Sequence, residues 1–108
     1  MGELPAAGDI FWVALATGSG HEQHGRRPVL VVTDSRLTAM GMCWVVPLST
    51  TERNWPTHVR LEVNGRTTWA MCEQLRSISV ERLGRKNGTI SFQPLSAVRS
   101  ILRSIIGH

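Results

Sequence analysis

The sequence predicts a mainly β fold with one C-terminal α-helix, and three observations carry that prediction. Five to seven short runs rich in β-branched and aromatic residues follow one another, punctuated by Gly, Pro, Asn and Asp. Near the end the apolar spacing changes, and Leu95, Val98, Ile101, Leu102, Ile105 and Ile106 fall on one helical stripe. The chain has 108 residues, enough for one domain with one modest core. Short strands and one amphipathic helix at this length point to a strongly bent sheet or half-barrel with the helix packed on it. Residues 1–108 are read as a single domain.

Taken in order, residues 1–8 form a loose lead-in, and Asp9 to Leu15 is the first strand. Val29-Leu30-Val31-Val32-Thr33 is an unbroken aliphatic run, the pattern of a central strand buried on both faces. Asp34 is placed to cap a short helical turn over Ser35 to Thr38. Met42 to Leu48 is the third strand, and Pro47 is expected to end its ladder. His58 to Val63 alternates polar and apolar, so one face is wet. Asn64-Gly65 is a hairpin turn, because both residues accept positive φ. Thr67 to Cys72 returns, and Glu73 to Ile78 continues the alternation. A helical turn over Val80 to Leu83 and a second turn at Lys86-Asn87-Gly88 follow. Ser91 is expected to cap the last helix, with Arg99 and Arg103 on its far side and Gly107 at its end.

Composition excludes several classes. An apolar share of 42% rules against disorder. No apolar run reaches the roughly 20 residues of a spanning helix, and the N-terminus lacks a basic start and an apolar stretch. The expectation is a soluble, cytoplasmic protein. Net charge is +4 and eleven of the twelve basic residues are arginine. The guanidinium fork suits phosphate, so an anionic partner such as nucleic acid is one reading and solvated surface charge the other. Cys43 and Cys72 lie in apolar runs and read as core thiols. Trp12, Trp44 and Trp69 lie in strands and read as core, whereas Trp55 lies in a polar loop and could stack on a base.

The stretch Gly20-His21-Glu22-Gln23-His24-Gly25-Arg26-Arg27-Pro28 holds the densest chemistry. It is a loop between two strands, with a carboxylate, an amide, two imidazoles and two guanidiniums. If the sheet curls, Glu22 and Arg27 meet the hydroxyls of Ser49-Thr50-Thr51. That set suits RNA cleavage by the 2′-hydroxyl, which needs a base, a cation for the phosphorane and an acid for the 5′-oxygen. On spacing alone, an ordinary ion pair beside a turn is the simpler account. His21 and His24 have only His58 and His108 as further imidazoles, so no metal is expected, nor any other cofactor. They read as solvated loop histidines that could touch RNA. Glu73-Gln74 is either an outward-facing pair or a reader of base edges.

At these residues the chain resembles the MazF/PemK family of toxin endoribonucleases. The likeness runs from Gly8 to Gly107. It rests on Gly8-Asp9-Ile10-Phe11-Trp12-Val13, on Glu22-Gln23-x-Gly25-x-Arg27-Pro28, on Pro56-Thr57-His58-Val59 and on Glu73-Gln74-Leu75-Arg76-Ser77-Ile78. The resemblance implies the SH3-like barrel of CcdB/PemK-like plasmid maintenance toxins, assembled as a homodimer. It implies metal-independent, sequence-specific cleavage of single-stranded RNA to 2′,3′-cyclic phosphate and 5′-hydroxyl ends. The implied catalytic residues are Arg27, Thr50 and Glu22; Gln23, His21, His24, Glu73, Gln74 and Arg76 would contact RNA. The implied partner is a small MazE-like antitoxin whose acidic tail occupies the RNA groove. His21 stands where many members have serine, and Met71 where some have arginine. Two other functions fit the fold, a CcdB-like toxin that poisons gyrase and a non-catalytic RNA-binding barrel.

Overall fold

A computed structural model of the chain describes residues 4–14 and 25–107. Leu15, His21, Glu22, Gln23, His24 and His108 lie outside the described residues.

Among the described residues there are seven strands and two helices: β1 (Asp9–Ala14), β2 (Arg26–Val31), α1 (Ser35–Ala39), β3 (Met42–Ser49), β4 (His58–Val63), β5 (Arg66–Met71), β6 (Arg76–Ser79), β7 (Leu83–Thr89) and α2 (Phe92–Ile106). The strands make one antiparallel sheet in the order β4-β5-β3-β2-β1-β7, with β6 also on β3. The outer strands, β4 and β7, curl toward each other. The Asn64 amide at the β4–β5 turn donates to the Asn87 carbonyl of β7 at 2.9 Å, which ties the two edges together.

The sheet buries side chains on both faces, as the aliphatic run of β2 predicts. Leu30 and Val32 pack with Ile10, Val46, Leu48 and Leu61 beneath Leu95, Val98 and Leu102 of α2. Val29 and Val31 pack on the opposite face with Val13, Cys43, Val45 and Ile78. Cys43 and Cys72 are buried in different clusters. Burial raises both thiols, and Cys72 reaches about 11 through burial first and the neighbouring Glu73 charge second.

Several local expectations hold. Asp34 caps α1, accepting from the Arg36 N–H at 2.7 Å. Asn64 and Gly65 form the hairpin turn with φ of 54° and 78°. A 3₁₀ turn occupies Val80–Arg82, and Gly107 ends α2 with φ of 90°.

Others are corrected. Pro47 does not end β3, which runs to Ser49. The Val32 N–H donates to the Trp44 carbonyl, so by alternation the nitrogen of Pro47 faces away from β2. That edge passes there from β6, paired through Val45, to β5, paired from Leu48, and no ladder bond is lost. Asn87-Gly88 is not a turn. It lies within β7, where register shifts against β1 absorb the irregularity as bulges. Residues 72–74 form a 3₁₀ turn rather than continuing a strand. Ser91 occupies the capping position without a side-chain bond. Arg99 is half-buried, donating to the Val32 carbonyl at 3.0 and 3.3 Å. Trp12 and Trp69 are half-buried and Trp44 is exposed, so none of the three is core.

Because Leu102 is buried between α2 and the sheet, Leu102→Ala lowers unfolding free energy by about 2–4 kcal/mol in urea denaturation. A change within about 0.5 kcal/mol, typical of surface sites, would contradict this packing.

Candidate nucleic-acid interface and active site

β2 leaves the site loop with Arg26 and Arg27 at its first two positions. Alternation then fixes where each side chain goes. Arg27 shares a face with Val29 and Val31; Pro28 shares the other with Leu30. Arg26 lies 5.4 Å from the ring centre of Trp12, a cation–π contact.

Arg27 opens into a groove of about 260 Å³. Its floor is Val29, Val45, Pro47 and Ile78, and its rim carries Arg27, Gln74, Arg76 and Arg82. All three arginines are exposed, and none joins an ion pair among the described residues. Unpaired guanidiniums around an apolar floor suit a ligand that alternates phosphates with flat, weakly polar rings.

The groove brings together Arg27, Gln74 and Arg76 of the residues singled out in the sequence. It includes neither Thr50 nor Ser49. The pairing of β2 with β3 ends at Val29 opposite Pro47; beyond it Ser49 pairs with Trp69 of β5, and Arg27 pairs with Val13 of β1. Ser49 shares the face of Pro47, and Thr50 shares that of Leu48. Thr50 lines two other concavities, one with Trp12, Pro28, Leu48 and Asn64, the other with Glu52, Arg60 and Trp69. The Ser49 hydroxyl accepts from the Thr51 N–H at 3.1 Å. Arg82 carried no signal in the sequence.

Glu73, singled out as an RNA contact, is bonded within the chain. One oxygen accepts from the Thr57 hydroxyl at 2.6 Å and the other faces His58 Nε2 at 3.0 Å. His58, expected on the wet face of β4, has a side chain only 2% exposed. Glu22, Gln23, His21 and His24 lie outside the described residues, in the segment between β1 and β2. Among the described residues no helix is long and apolar enough to cross a membrane.

Comparison with known proteins gives a consistent result. The family model described as "PemK-like, MazF-like toxin of type II toxin-antitoxin system" matches residues 6–106. The chain is 31% identical over 106 residues to the endoribonuclease toxin MazF of Escherichia coli K12, covering 96% of each. It is 26% identical to a crystal structure of MazF from Deinococcus radiodurans, at a TM-score of 0.82, covering 99% of this chain and 100% of the other. A chain from a MazE–MazF crystal structure of the same organism has a TM-score of 0.84 at 24% identity, covering 97% and 98%.

Burial pushes the Glu73 carboxyl up, but hydrogen bonds from Thr57 and His58 outweigh it and hold the group below its ordinary 4.5. A carboxyl with a depressed folded-state pKa contributes stability above its unfolded value and loses it as pH falls through the folded one. Between about pH 5 and pH 3, Tm therefore falls less steeply for Glu73→Gln than for the unsubstituted protein. Parallel curves would contradict this.

Proposed function

We infer that this chain, which belongs to the family of PemK-like, MazF-like toxins of type II toxin–antitoxin systems, is a sequence-specific endoribonuclease of single-stranded RNA. The observation that supports it most is the groove where Arg27, Arg76 and Arg82 stand without carboxylate partners among the described residues. The relatives' activity, named as endoribonuclease, favours this over gyrase poisoning and over binding without cleavage.

In this reading RNA lies along the groove with the scissile phosphate beside Arg27. The 2′-hydroxyl of the preceding nucleotide loses its proton and attacks phosphorus. The P–O5′ bond then breaks, and the 5′-oxygen leaves with a proton. The products are a 2′,3′-cyclic phosphate and a 5′-hydroxyl. Every atom in this exchange comes from RNA and proton carriers, so the step calls for no metal. Arg27 neutralises the charge that builds on the phosphorane. A guanidinium stays protonated, with a pKa above about 12, so Arg27 holds charge rather than carrying the proton. The hydroxyl that donates to a non-bridging oxygen is that of Thr50, just past the end of β3. Glu22, five residues before Arg27, supplies the base.

Arg76 and Arg82 hold flanking phosphates, and Gln74 offers an amide to a base edge. Gln23, His21 and His24 extend this contact from the loop. The enzyme acts in the cytoplasm, partnered by a MazE-like antitoxin whose acidic segment would satisfy the same arginines. Exposed apolar side chains on α2, Phe92, Ile105 and Ile106, support a homodimer.

Three variants test the assignment on a long, weakly structured RNA. Arg27→Ala and Thr50→Val each slow cleavage on the order of 10²–10³-fold, the effect of removing one charge-stabilising donor. Ser49→Ala stays near the parent rate. Loss in Ser49→Ala with full activity in Thr50→Val would move the role to Ser49.

A further inference from the structure

Two sequence-distant segments meet in one cluster. Thr57 and His58 come from the start of β4; Glu73 comes from the 3₁₀ turn after β5. Each Glu73 oxygen has its own donor, the Thr57 hydroxyl at 2.6 Å and His58 Nε2 at 3.0 Å. The Thr57 carbonyl accepts from the Cys72 N–H at 3.2 Å, so backbone and side chain join the same two segments. Trp55 lies across His58, with ring centres 5.0 Å apart and planes tilted by 40°.

The cluster is an odd choice for stability alone. The Glu73 carboxylate fixes His58 as the Nε2–H tautomer. His58 Nδ1 is then buried with no hydrogen-bond partner among the described residues. What the arrangement does deliver is direction. Glu73 is anchored on both oxygens, and the next residue, Gln74, lines the Arg27 groove. On the other side Trp55 rests on the anchored imidazole and remains about half exposed, at 49%.

We propose that Thr57, His58 and Glu73 are positioning residues that set the sequence preference of the nuclease. They act through two neighbours: Gln74, held in the groove as a base-edge reader, and Trp55, held as a flat platform for an unpaired base. This proposal rests on the RNA-cleaving reading above.

The test uses Thr57→Val, Glu73→Ala and the conservative Thr57→Ser in the full chain, with two readouts. Without RNA, the Gln74 backbone amide and the Trp55 indole N–H shift in NMR spectra of Thr57→Val and Glu73→Ala, and return in Thr57→Ser. With a randomised RNA pool, the first two raise KM roughly 10- to 100-fold, broaden the cleaved sequence and keep kcat; Thr57→Ser restores both. Folded variants with the parent KM and preference would overturn the proposal, as would a loss confined to kcat. If the parent chain cuts no RNA, the ribonuclease reading fails first. The NMR readout then still decides the cluster, since unmoved Gln74 and Trp55 signals would overturn its positioning role.

Discussion

The register of β2 against β3 is the constraint on which the site depends. Val29 opposite Pro47 determines which side chains share a face. A slip of one residue would carry Arg27 to the face of Leu30 and beneath α2, and would expose Val29 and Val31 in its place. Burial on both sides of β2 holds that register, since Leu30 and Val31 are fully buried on opposite faces. The apolar packing of the sheet therefore aims the arginine.

Curvature supplies the second requirement. Pro47 sits where β3 exchanges β6 for β5 on one edge, and the strand continues because its nitrogen has no ladder bond to lose. The exchange brings β6, with Arg76, alongside the same face as Val45. Meanwhile the Asn64–Asn87 bond draws the far edges together. Segments distant in sequence, β1, β2, β3, the turn leading into β6, β6 itself and the Val80–Arg82 turn, thus converge on one groove. Its lining has three arginines and no carboxylate among the described residues, and the neighbouring Glu73 is bound to Thr57 and His58.

The sequence made the fold class legible because its signals are local. The double-faced run of β2, the Asn-Gly hairpin and the helical stripe of α2 each need only a short window. Pro47 and Asn87-Gly88 misled because both residues usually break strands, and only their neighbours in space reveal that no bond is lost. The tryptophans misled because strand location was taken for burial, while Trp44 projects into solvent. At the site, the loop motif led to Arg27, and the motif of the turn led to Gln74 and Arg76. Thr50 came from the likeness to the family, and neither it nor Ser49 lines the Arg27 groove. The pairing of Glu73 with His58 was not legible, because nothing in either segment names its partner fifteen residues away.

The central claim is that the Arg27 groove promotes transfer to the RNA's own 2′-hydroxyl. The most direct measurement is the chemistry of the ends. The chain, freed of any antitoxin, is incubated with a single-site RNA in EDTA, and both fragments are analysed by mass spectrometry. The account predicts a 2′,3′-cyclic phosphate on one fragment and a 5′-hydroxyl on the other. A 5′-phosphate with a free 3′-hydroxyl, or cleavage that appears only when a divalent metal is restored, would contradict it.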